Sequence, residues 1–295
     1  MSETRDVEHA KDVFRSGFVA VLGRPNVGKS TLVNALVGGK VSITASSPNT
    51  TRNAIQGVLN GEHSQIVLVD TPGMHKPRSA LGQRLNQTAT AASQNVDACL
   101  VVIDAHESIG PGDRFAADTA RGHRPIVVVN KADLVARQQM LDQLLAAQRE
   151  LDLEESEFFP VSAKDGDGVA ALLEHLRSLL PEGPRYYPAG VIRNVPDEFF
   201  VAELVREQLL LVAREELPHS IACRVTEWDW PYIRCEVLVE RESQKGIVIG
   251  HDASVIKQAG VAARAQLPEG CFLELVVRVV KDWQQKTVLI ERLGY

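Results

Sequence analysis

The sequence predicts an α/β domain built on a mostly parallel, doubly wound sheet, followed by a smaller α+β domain. Two patterns and one break between them carry this prediction. Short, continuous apolar runs alternate with amphipathic stretches as far as Leu180, the pattern of parallel strands covered on both faces. Prolines 181, 184, 188 and 196 then interrupt the chain. Beyond them the order becomes helix, two alternating strands, helix, strand and terminal helix. The length of 295 residues also suits two cores, at roughly 100 to 200 residues each.

Residues 1–16 are polar and read as an N-terminal extension to a first domain at 17–183. The strands are expected at 18–22, 65–70, 98–104, 125–130 and 158–162, with helices at 139–151 and 169–180. Residues 80–96 carry Leu81 and Leu85 at helical spacing among polar residues and read as a moving helix behind a switch segment rather than a membrane surface anchor. A linker at 184–196 leads to the second domain, 197–295. There the expectation is a helix at 197–216, strands at 220–228 and 232–240, a turn at Gly250, a helix at 253–266, a strand at 272–281 and a short last helix.

Composition narrows the function. A content of 44% hydrophobic and 24% charged residues, with mean hydropathy −0.08, excludes disordered and fibrous classes. The net charge of −6 argues against coating nucleic acid by bulk charge, so any such contact must be local. Cys99, Cys223, Cys235 and Cys271 form no CxxC pair, and the eight histidines form no HExxH motif, so a disulfide framework and a zinc site are unsupported. No apolar run reaches the roughly 18 residues of a membrane span. The charged start lacks a signal-peptide core, and the chain is expected in the cytosol.

The segment Gly23-Arg24-Pro25-Asn26-Val27-Gly28-Lys29-Ser30, with Thr31 opening a helix, is a phosphate loop. Backbone N–H groups and the positive helix end surround phosphates, Lys29 reaches the β and γ oxygens, and the Ser30 hydroxyl ligates magnesium. Asn130-Lys131-Ala132-Asp133 ends an expected strand and selects the base. The Asp133 carboxylate can accept from both N1–H and the exocyclic amine of guanine, whereas adenine presents a lone pair at N1. Asp70-Thr71-Pro72-Gly73 ends another strand, where Asp70 can hold magnesium through water and the Gly73 N–H can meet a γ-phosphate. Loss of that phosphate would release the segment, which makes it a candidate switch. Thr51 is expected as the second hydroxyl ligand of magnesium, with Thr50 its rival. Ser162-Ala163-Lys164 would contact the guanine carbonyl through the Ala163 N–H.

With these five motifs in this order, the first domain resembles Ras-like GTPases of the translation-factor-related class. Across residues 16–295 the chain is similar to the Era family, in which such a domain precedes a KH domain. Val205-Arg206-Glu207, Glu215-Glu216-Leu217-Pro218 and Leu293-Gly294-Tyr295 extend the match. The resemblance implies a P-loop GTPase with GTP/GDP and Mg2+ as ligands and a type II KH domain. It also implies binding near the 3′ end of 16S ribosomal RNA and assistance in 30S subunit assembly. A monomer is implied too, cytoplasmic with a weak peripheral membrane fraction.

Many Ras-like enzymes carry a water-orienting glutamine after the equivalent of Gly73; here the residue is Met74, whose thioether cannot orient water. Related GTPases use a potassium ion held partly by a phosphate-loop asparagine, the position of Asn26. Asn26 is thus expected to share the catalytic work with Lys29, Thr51 and Gly73, the alternative being that it only shapes the loop.

In the second domain, 248–257 resembles the KH signature of apolar strand end, GxxG loop and helix. Such loops press against the backbone of about four nucleotides. Here Ala253 replaces the second glycine and the middle pair is His251-Asp252, so the grip on RNA should be weaker than usual. Residues 191–295 hold 13 Lys and Arg against 16 Asp and Glu, net −3, so an RNA face requires clustering. Arg241, Lys245, Lys257 and Arg264 are expected to flank the loop, and Val248, Ile249 and Ile256 could line a base groove or be simple core. Trp228, Trp230 and Trp283 are expected to pack at the core or edge rather than to stack bases. Two further readings stand beside an RNA-dependent switch: a nucleotide-sensing module with incidental turnover, and a GTPase whose degenerate loop docks a protein.

Overall fold

The computed structural model describes residues 13–45, 47, 50–76, 80–153, 156–212 and 221–293. The first part runs β1 (Arg15–Leu22), α1 (Lys29–Val37), β2 (Ile55–Asn60), β3 (Ser64–Asp70), α2 (Ala80–Ala92), β4 (Ala98–Asp104), α3 (Pro111–Ala120), β5 (Pro125–Asn130), α4 (Arg137–Glu150), β6 (Glu157–Val161) and α5 (Val169–Leu179). The six strands lie in the order β2-β3-β1-β4-β5-β6. All pairs are parallel except β2 with β3.

Alternate residues of each central strand enter different cores. Val19, Val21, Leu100, Val102 and Val128 pack with Leu32, Leu172 and Leu176 of α1 and α5. Ala20, Leu22, Val101, Ile103 and Val127 pack with Ala116, Ala117 and Ala147 of α3 and α4. Burial on both faces is why these strands read as uninterrupted apolar runs.

Several expectations change. β1 starts at Arg15, inside the supposed extension. β2 and α3 have no counterpart among the elements expected from the sequence. β2 is the antiparallel edge strand, and α3 buries mainly alanines and Asp113. The linker follows the β2 edge: the Val58 N–H donates to the Ile192 carbonyl at 2.9 Å and the Asn194 N–H to the Gln56 carbonyl at 3.0 Å. That pairing covers a sheet edge that would otherwise invite association.

The second part comprises α6 (Asp197–Val212), β7 (Ala222–Asp229), β8 (Tyr232–Val239), α7 (Glu242–Ile249), α8 (Ser254–Arg264), β9 (Phe272–Val279) and α9 (Thr287–Arg292). β8 lies between antiparallel β7 and parallel β9. A parallel pair needs a crossover, which α7 and α8 supply. Val248 and Ile249 therefore end a helix, correcting the expected strand end; Val248 is fully buried with Val205, Val237 and Ala259. The other face of this sheet offers Ala222 and Leu238 to Leu81 and Leu85 of α2 and to Trp283, Ile290 and Leu293. Residues 213–220, 294 and 295, and with them two of the matching family segments in whole or part, lie outside the described residues. Among the described residues, no helix is long and apolar enough to cross a membrane.

Candidate nucleotide site and nucleic-acid groove

β1 ends at Leu22 and α1 begins at Lys29, so 23–28 form a tight loop at the carboxyl end of the sheet, where doubly wound folds bind ligands. Gly28 adopts φ 92°, and a Cβ there would lie 2.3 Å from the Asn130 amide, so glycine is required twice over. Lys29 is 6% exposed and donates to the Gly23 and Arg24 carbonyls, both at 2.9 Å. Burial pulls its amine down to about 8, against the opposing attraction of Asp70 and Asp113. A buried ammonium that donates to neutral carbonyls gains from a phosphate. Arg24 is tied to Glu107 at 2.6 Å and to Asp113 at 3.1 Å, which fixes the loop against α3. Asn26 is exposed at φ 66° and lines a cleft of about 430 Å³ with Lys29, Ser30, Thr31 and Thr51.

Ser30 and Thr51 line this cleft, and Asp70 lies buried behind them. The Ser30 and Thr51 hydroxyls lie 2.8 Å apart, and the Thr51 hydroxyl donates to an Asp70 oxygen at 3.3 Å. Thr50, the rival, instead donates to the Ser47 carbonyl at 2.6 Å. Asp70 is fully buried; burial pushes its carboxyl up, against the hydroxyls of Ser42, Ser30 and Thr51 and the charge of Lys29. Its Oδ1 makes no hydrogen bond in this structure. Two hydroxyls and an under-satisfied carboxylate form an all-oxygen set suited to magnesium. Gly73 lies so close to Pro25 that a Cβ would fall 2.7 Å from its backbone. Thr71 binds the Val21 carbonyl at 2.6 Å, and Pro72 is buried.

The residues expected to select the base are joined to the phosphate loop. The Asn130 amide donates to the Val27 carbonyl at 2.8 Å and accepts from the Ala163 N–H at 3.0 Å. The Asp133 carboxylate is exposed but fixed by the Ser162 hydroxyl at 2.8 Å. Lys131 lines the cleft with its amine 2.6 Å from Asp104, and Lys164 is exposed beyond it.

The expected RNA residues divide. Ile256, Lys257 and Arg264 line a groove of about 250 Å³ between α8 and β9, together with Leu273 and Leu275. Val248 is core. Gly250 and exposed His251 form the turn, and Lys257 reaches back to the Asp252 carbonyl at 3.2 Å. Ile249 is half-buried at the end of α7, and Lys245 lies one turn earlier. Arg241 caps the start of α7, about 12 Å of helix from the loop it was expected to flank. Trp283 is buried, whereas Trp228 and Trp230 are exposed at the tip of the β7–β8 hairpin.

A family model described as "50S ribosome-binding GTPase" matches residues 18–131, and a KH domain model matches 216–284. GTPase Era of Mycobacterium bovis is 44% identical over 298 residues, covering 96% of this chain and 99% of the relative. The chain belongs to the Era family of GTPases. Era of Streptomyces coelicolor is likewise 44% identical, over 98% of this chain and 97% of the relative. A crystal structure of Era in complex with MgGDPNP and nucleotides 1506–1542 of 16S ribosomal RNA superposes at TM-score 0.90 with 34% identity, covering 96% of this chain and 99% of that one. A variant of Aquifex aeolicus Era bound to GDP·AlF4− gives the same score, identity and coverage.

As an Era-family member the chain is a GTPase whose nucleotide domain is followed by a KH domain. Its Met74 side chain is fully buried in the core. Sequence reasoning missed Ile43, Thr44 and Glu107, which also line the cleft. It missed Gly260, Val261, Leu273 and Leu275 in the groove as well. An aliphatic in a strand carries no signal distinguishing groove from core, and Glu107 sits in a loop without a motif.

Proposed function

We propose that this Era-family GTPase hydrolyses magnesium-bound GTP in the cleft above α1, and that the α8–β9 groove receives single-stranded RNA, the 3′ end of 16S ribosomal RNA, during 30S subunit assembly. The observation that supports the nucleotide roles is the convergence of Ser30, Thr51 and Asp70 beside Lys29. Those three oxygen-bearing side chains would hold magnesium, which when bound neutralises charge on the phosphates. Lys29 turns from its two carbonyls to the phosphates, and the Gly73 N–H donates to the γ-phosphate. Asp133, braced by Ser162, takes the guanine edge. With Met74 buried, no side chain at that position orients water, so turnover is slow unaided. Asn26, exposed at the cleft, supplies an amide oxygen for a potassium ion that offsets developing negative charge. Single-turnover hydrolysis is expected to run on the order of tenfold faster in potassium than in sodium buffer; equal rates would leave Asn26 as a loop-shaping residue only.

The RNA reading is supported by an apolar groove edged by Lys257 and Arg264, and by the related Era whose crystal structure holds a 16S fragment. Full-length chain should retain the 16S tail on a filter in preference to a scrambled tail; no preference at low salt would refute it. The weak point of the grip is Ala253, held at φ 57° next to Asp252 at φ 52°. A side chain in this region costs roughly 1–2 kcal/mol. Ala253→Gly should therefore raise stability by roughly 0.5–1 kcal/mol, after the entropy that glycine adds to the unfolded chain. It should also tighten RNA binding by opening the backbone to phosphate. Thermal melting and filter binding check the two effects separately.

A further inference from the structure

The loop that carries Thr51 is held from outside its own domain. The Thr44 N–H donates to Glu207 Oε1 at 2.8 Å, and Lys40 pairs with Glu207 Oε2 at 2.5 Å. The Thr50 carbonyl accepts from Arg206 Nη2, and Arg206 is itself gripped by Glu203 at 2.6 and 2.8 Å. Arg52 donates to the Ile221 carbonyl at 2.9 Å. Glu203, Arg206 and Glu207 are all at least 97% buried. They lie within two turns of α6, the first helix of the second domain.

These contacts bracket Thr51 on both sides. Within its own domain, the Thr51 hydroxyl meets Ser30 and Asp70. Ordering a loop costs roughly 1–2 kcal/mol of backbone entropy per residue. Contacts that hold the backbone on either side of Thr51 raise the fraction of molecules competent for the reaction. We infer that Glu207 and Arg206 are positioning residues for GTP hydrolysis, supplied by the second domain and acting through the Thr44 and Thr50 backbone to place Thr51. This rests on the reading of Thr51 as a magnesium ligand. A phosphate loop that binds GDP has no need of this bracket, so the two nucleotides should respond differently.

The test compares Glu207→Ala, Glu207→Gln, Lys40→Met and Thr51→Ala in the full chain. Glu207→Ala should lower kcat about 10- to 100-fold, with GDP affinity changed less than about threefold. Glu207→Gln, which keeps an acceptor for Thr44, should recover part of the rate. Lys40→Met should fall between wild type and Glu207→Ala, and it tests the same ion pair should Glu207→Ala not fold. The double variant Thr51→Ala/Glu207→Ala should be no slower than Thr51→Ala alone. In nucleotide-free protein, hydrogen exchange of the 40–52 amides should accelerate in Glu207→Ala. Unchanged kcat and exchange in both Glu207→Ala and Lys40→Met, or a parallel loss of kcat and GDP affinity, would overturn the inference. Unchanged turnover in Thr51→Ala would instead overturn the magnesium-ligand reading.

Discussion

Asp133→Asn is expected to exchange guanine selectivity for xanthine selectivity. The wild-type carboxylate is fixed by the Ser162 hydroxyl at 2.8 Å, and Ser162 is fully buried and also accepts from the Asp165 N–H at 3.2 Å. Two charged hydrogen bonds to guanine, at about 1.5–3 kcal/mol each, set a loss of roughly 10²–10⁴ in GTP affinity when the acceptor becomes an amide. The new amide donates where the guanine amine donated, which leaves two donors facing each other. Xanthine carries a carbonyl at that carbon and accepts from the amide. Ser162 can still donate to the amide oxygen, so the side chain keeps its place. Competition of GDP and xanthosine diphosphate against a fluorescent guanine nucleotide reads the exchange directly; retained guanine preference would remove Asp133 from the base site.

What the sequence made legible follows from where each signal is written. The phosphate loop, Asp70 and Asn130-Lys131-Ala132-Asp133 are short, local and placed at strand ends, and the structure brings all three to one end of the sheet. β2 escaped notice because an antiparallel edge strand has only one side paired with its own sheet, and Gly57 breaks its apolar run. α3 escaped because its core face is mostly alanine, which carries little hydropathy contrast. The segment Gly246-Ile247-Val248-Ile249 looks like a strand by β-branched content, yet it finishes α7 because Val248 has to reach the core under α6. The bracket around Thr51 was illegible for a different reason. Glu207 and Thr44 are 163 positions apart, and no local pattern encodes a contact between domains.

Lys29→Ala should cost nucleotide binding while sparing the fold. At least two charged hydrogen bonds to phosphate oxygens disappear, for a loss on the order of 10²–10⁴ in GDP affinity. The buried amine at about 8 also fixes a pH dependence. Free protein sheds the Lys29 proton as pH rises through 8, whereas bound phosphate holds it, so binding takes up a proton above that value. GDP affinity should be flat in this group below pH 7 and then fall, by up to about tenfold per unit, until the lysine of the complex titrates. Stability of the nucleotide-free chain moves the other way. Between pH 8 and the ordinary lysine range the unfolded chain binds more protons than the folded one. Unfolding therefore becomes harder as pH rises, because the penalty of the buried charge is relieved. Lys29→Ala removes both slopes together. Calorimetry of GDP binding in buffers of different ionisation heat, with thermal melts of empty protein across the same pH range, checks both signs. A wild-type affinity that stays level from pH 7 to 9.5 would refute the lowered Lys29 amine, and an affinity unchanged by Lys29→Ala would mean that Lys29 does not face the phosphates.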